Sequence, residues 1–133
     1  MKTLIISIFA IFVISVIKKT ETEITGFYKS EKCNLTIEIT NHRSDYKYHL
    51  VTDNRNEKGK AIISFEKGKD GYFIELRHAK VSEPDKMNKI ENIHFFVSND
   101  TITLQNYGNS INQYQQINCE EKYIILVKNK NHR

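Results

Sequence analysis

The chain has 133 residues, 39% hydrophobic and 27% charged, with a formal net charge of +4, two cysteines, one proline and no tryptophan. That size suits one domain and excludes two comfortable cores, and the composition excludes both a disordered and a membrane-embedded chain. Both signs of charge are interspersed, as in Glu31-Lys32 and Glu120-Glu121-Lys122, so there is no focused positive field and nucleic acid is not an expected partner.

Residues 1–19 read as a leader. Lys2 supplies a positive start, and the fourteen residues from Leu4 to Ile17 form an apolar run that ends at Lys18-Lys19. This is the pattern of a secretory signal peptide. Fourteen helical residues span about 21 Å, short of the ~30 Å hydrocarbon core, so no permanent membrane span is expected after leader removal. Residues 20–133 are then one domain working outside the cytoplasm, secreted or periplasmic. In that oxidising setting Cys33 and Cys119, about 85 residues apart, are expected to form a structural disulfide. No closely spaced Cys-x-x-Cys pair is present for a redox or metal role.

From Gly26 onward the pattern is that of strands. Gly26-Phe27-Tyr28-Lys29-Ser30 forms a short opening strand, and then Leu35, Ile37 and Ile39 alternate with Thr36, Glu38 and Thr40. This period of two places aliphatic and polar groups on opposite faces. The same alternation runs through Tyr46-Tyr48-Leu50, Ala61-Ile63-Phe65, Tyr72-Ile74-Leu76, Ile93-Phe95-Val97 and Ile102-Leu104, and Tyr123-Ile125-Val127 closes the series. Residues 111–117 offer one further strand. The breaks at 41–45, 53–59, 67–71 and 98–100 are rich in Asn, Asp, Ser and Gly, which tolerate turn conformations. Only 80–90, with Pro84, breaks the rhythm.

The expected fold is all-β: an antiparallel up-and-down meander of eight to nine strands, closed as a barrel and carrying one disulfide. Closure removes the two unpaired edges that an open sheet would expose. Ile24-Thr25-Gly26-Phe27-Tyr28 resembles the opening segment of calycin-type barrels, the group holding lipocalins and avidins, with Phe27-Tyr28 where that group has Trp. The resemblance, covering about residues 24–128, implies an up-and-down barrel with an apolar cavity and transfers no binding residue.

Catalytic machinery is not evident. His42, His49, His78, His94 and His132 lie in separate segments without metal-ligand spacing, and Ser44-Asp45 stands in no nucleophile turn. Glu120 and Glu121 are adjacent and so point to opposite faces of an extended chain. No cofactor, no metal and no enzymatic activity are expected; the alternative is an extracellular or envelope hydrolase with convergent carboxylates or a His pair. The uncharged, amide-dense segment 105–116 is the most unusual. Tyr107, Asn109, Asn112 and Tyr114 are its candidate binding residues, placed at a barrel mouth for a polar ligand or a protein. An alternative reading has the same amides bonding their own backbone. A second candidate set, Leu35, Ile37, Tyr46, Tyr48, Ile63, Tyr72, Ile74, Phe95 and Tyr123, either lines a cavity or fills the interior. The expected function is binding, of a small apolar molecule or of an extracellular protein. Asn34 and Asn99 head sequons that a eukaryotic secretory pathway would glycosylate.

Overall fold

The computed structural model describes residues 24–80, 92–111 and 113–131. The expected leader at 1–19, most of the irregular stretch 80–90, and Asn112 lie outside the described residues.

Eight strands follow one another around a closed barrel: β1 (Gly26–Ser30), β2 (Thr36–His42), β3 (Asp45–Val51), β4 (Asn56–Ser64), β5 (Tyr72–Leu76), β6 (Ile93–Ser98), β7 (Thr101–Gln105) and β8 (Tyr123–Lys128). Every strand pairs antiparallel with the next. β1 also pairs with β8, Lys29 opposite Val127, which closes the sheet. Two of the hairpins are as tight as a hairpin can be. Arg43 and Ser44 (φ 53° and 68°) join β2 to β3, and Asn99 and Asp100 (φ 48° and 62°) join β6 to β7. Positive φ at both central residues matches the right-handed twist of the strands on either side.

Alternation fixes the interior. Ile37, Ile39, Leu50, Ala61, Ile74, Leu76, Ile93, Phe95, Val97, Ile102, Leu104, Ile124 and Leu126 point inward and are 0–2% exposed. Tyr28 lies among them, its hydroxyl donating to the Ile24 carbonyl at 2.7 Å. Eight strands enclose a space just wide enough for side chains to fill, and here they fill it. Each such Ile, Leu, Val or Phe contributes about 1.5–3 kcal/mol by leaving water. Tyr48 crosses beneath β4 at Gly59, where a Cβ would stand 2.7 Å from its ring. Only glycine permits that approach, which lets the Tyr48 hydroxyl donate to the Arg77 carbonyl at 3.1 Å.

Of the eight or nine strands expected, eight form among the described residues, and two further expectations are corrected. Residues 111–117 form no ninth strand among the described residues; the segment is tied down by one isolated bridge, Tyr107 to Gln115, because its amides compete with the ladder for backbone groups. Residues 53–59 are not wholly a loop, since β4 already begins at Asn56 and pairs with Val51. Its inward positions there are Glu57 and Gly59, so no apolar alternation announces it. Tyr123 does not face inward. It is 54% exposed, with Ile125 and Val127 beside it, and Ile124 and Leu126 take the interior through their pairing with Leu104 and Ile102.

Candidate functional site

One end of the barrel carries the β1–β2 and β3–β4 loops and the chain that follows β7, and described residues close over it. Cys33 and Cys119 form the expected disulfide there, with Cα atoms 5.9 Å apart, between the β1–β2 loop and the segment leading into β8. That segment, 106–122, lies across the end of the barrel and buries Ile117 in the core. Asn106, wholly buried, holds it in place. Its side-chain amide donates to the carbonyls of Cys119 (2.8 Å) and Glu121 (3.1 Å) and accepts from the Ile117 amide (2.7 Å). Gln116, also buried, donates to the Gln105 carbonyl at 2.7 Å.

Three of the four sequence-designated residues, Tyr107, Asn109 and Tyr114, sit on this cap, and Asn112 lies outside the described residues. Tyr107 is half-buried, its hydroxyl donating to the Cys119 carbonyl at 2.8 Å and accepting from Gln115 Nε2 at 3.0 Å. Exposed Asn109 accepts from the Ile111 amide at 3.0 Å. Tyr114 is half-buried, and its carbonyl accepts from the Gly108 amide at 3.0 Å. Tyr107, Asn109 and Tyr114 are thus brought into one segment, and the Tyr107 hydroxyl and the Asn109 side-chain oxygen are engaged in bonds within it.

A clamp that the sequence did not signal completes the seal. Arg55 grips Glu57 with two hydrogen bonds, 3.0 and 3.1 Å, and donates to the carbonyls of Gln116 (3.2 Å) and Lys80. The Lys80 amide donates back to Glu57 at 3.2 Å. These charges lie in a stretch that reads as a polar turn, and only the pairing of β3 with β4 shows that Glu57 points inward. Burial, with the Glu57 carboxylate adding to it and Arg55 opposing it, holds the Tyr48 phenol above its ordinary pKa.

The outer face of β2–β4 is different in kind. A pocket of about 460 Å³ lies there, lined by Glu38, Thr40, Asp45, Lys47, Tyr48, His49, Lys58, Gly59 and Lys60. Lys47 stands directly opposite Lys60, and His49 directly opposite Lys58. Lys60 pairs with Asp45 at 3.2 Å, and His49 Nδ1 lies 4.0 Å from Glu38 with Nε2 2.8 Å from Asn56 Oδ1. Lys47 and Lys58 have no ion-pair partner among the described residues. A smaller depression of about 230 Å³ runs beside the disulfide along β8, past Tyr123, Ile125 and Val127.

Among the described residues no three His, Cys, Asp or Glu side chains are grouped to hold a metal. No described helix is long and apolar enough to cross a membrane. Comparison with protein-family models, with curated proteins and with solved structures finds no match.

Proposed function

We propose that this chain is an exported, non-enzymatic binding barrel that meets its partner on its outer surface rather than by enclosing a small apolar molecule. The observation supporting this reading is the packed interior: inward side chains from Tyr28 and Ile37 through Tyr48 to Leu126 are 0–3% exposed, and Tyr46, Ile63 and Tyr72 are partly buried against them. A drug-sized ligand occupies a pocket of roughly 300–1,000 Å³, and these side chains take up the space in which one would lie. Export is supported by the apolar leader pattern together with a disulfide that spans 86 residues of sequence. The outer surface, by contrast, carries unpaired lysines on β2–β4 and an apolar row on β8.

Titration with a fluorescent long-chain fatty acid tests the reading. The expected result is no saturable binding. One-to-one binding at micromolar concentration, abolished by filling the interior with Ala61→Leu, would overturn it.

A further inference from the structure

We infer that the pocket on the outer face of β2–β4 is a binding site for a tetrahedral oxyanion, the phosphate or sulfate ester group of an extracytoplasmic ligand. The inference deepens the surface-binding reading and rests on it. Like charges placed directly opposite each other on adjacent strands destabilise a sheet. This face has one such pairing, Lys47 with Lys60, and Lys58 stands in the adjoining row opposite His49. Of the two carboxylates present, Asp45 pairs with Lys60, and Glu38 forms no ion pair with Lys47 or Lys58 among the described residues. Lys47 and Lys58 are left without an internal counter-ion among the described residues, facing a pocket of about 460 Å³. An external anion is the missing neutralising charge.

The donor set points to the shape of that anion. Arginine, whose planar fork matches a carboxylate, is absent from the lining, while the lysines offer compact point charges with rotatable donors. Exposed Thr40, in register with Lys47 on β2, adds a hydroxyl to the same row. A tetrahedral group with several oxygens can accept from Lys47, Lys60 and Thr40 at once, and Lys58 lies in the next row for a second contact. Three ammonium groups against two carboxylates leave one net positive charge, so binding is expected to weaken as salt screens it.

Amide chemical shifts recorded while the whole folded protein is titrated with inorganic phosphate, and separately with sulfate, test the site. Saturating shifts are expected at Thr40, Lys47, His49, Lys58 and Lys60. The variant Lys47→Gln/Lys58→Gln should weaken binding at least tenfold, whereas Lys67→Gln/Lys69→Gln, with the same loss of charge in the β4–β5 loop, should not. Shifts that fail to saturate, that spread equally to Lys67 and Lys69, or that survive in the first variant would overturn the inference. Glucose 6-phosphate and a sulfated disaccharide then separate the two sources of the anion, since the natural one should bind more tightly than its inorganic parent; neither doing so also counts against the site. Failure here with the interior still closed to fatty acid sinks the anion site alone, and fatty acid entry sinks the surface reading beneath it.

Discussion

The cap at 106–122 and the outer face of β2–β4 are both polar, yet they treat polarity in opposite ways. On the cap the side-chain groups of Asn106, Tyr107, Gln115 and Gln116 reach backbone carbonyls or one another, so its hydrogen-bonding capacity is spent on its own structure. On the face, lysines are set against lysines and histidine, and capacity is left over. A buried polar group must be satisfied within the fold because losing water costs roughly 1–3 kcal/mol per unpaired group. An exposed one can wait for a ligand. Chemical unusualness in a sequence therefore does not separate structural polar residues from binding ones; the state of their partners does.

The cap should break first and hardest. Replacing Cys33 and Cys119 by serine frees a loop spanning 86 residues, which by the chain-entropy model costs roughly 4–5 kcal/mol. Denaturant unfolding of the oxidised and serine forms measures it, and a loss below about 1 kcal/mol would mean that the cap holds without its bridge. Next comes Asn106→Ala, which strands the Ile117 amide and the Glu121 carbonyl at the sealed end and should cost about 3 kcal/mol. Asn109→Ala, on the exposed side of the same segment, should fall within about 0.5 kcal/mol of the parent. Equal losses at the two positions would erase the distinction between pin and surface.

How far this was legible beforehand varies along the chain. Where one face is apolar and the other polar, as from Leu35 to Thr40, alternation alone gives the strand and its inward side. In β8 every residue from Tyr123 to Val127 is apolar, so the sequence carries no phase, and pairing with β7 decides which face is buried. In β4 the first inward residues are Glu57 and Gly59, one satisfied by Arg55 and the other needed for the passage of Tyr48; neither resembles a core residue until its partner is known. The disulfide was legible because a leader-like apolar run, read as a sign of export, leaves two cysteines little else to do. The pairing of Lys47 with Lys60 was not. It depends on register, and register depends on β4 starting at Asn56 rather than after Gly59.

Tyr48 links the two regions, since it lies under the pocket and its hydroxyl reaches the Arg77 carbonyl near the sealed end. Tyr48→Phe should cost about 1 kcal/mol at neutral pH. The wild-type phenol sits above its ordinary value of 10.0, first through burial and then through Glu57. The unfolded chain therefore releases this proton before the folded one does. Its contribution is fully present below about pH 10 and is lost as pH rises through the folded pKa. Stability measured from pH 9 to 11 should fall less steeply in Tyr48→Phe than in the parent, and parallel curves would show that the phenol is not held in its neutral form.

A small effect gives the sharpest test of the comparison, because its sign is unusual. Lys47→Glu turns the opposed Lys47–Lys60 pair into an opposite-charge pair on an exposed stretch of sheet. Cross-strand charge pairs of this kind contribute roughly 0.2–1 kcal/mol, so the variant should unfold at slightly higher denaturant than the parent. The same change puts a carboxylate where the oxyanion would lie and should abolish the phosphate response. A residue whose replacement steadies the fold while removing a binding response is one that the fold tolerates for the sake of its ligand. If Lys47→Glu is instead destabilising, the lysine is already neutralised inside the molecule, and the face differs from the cap only in its exposure.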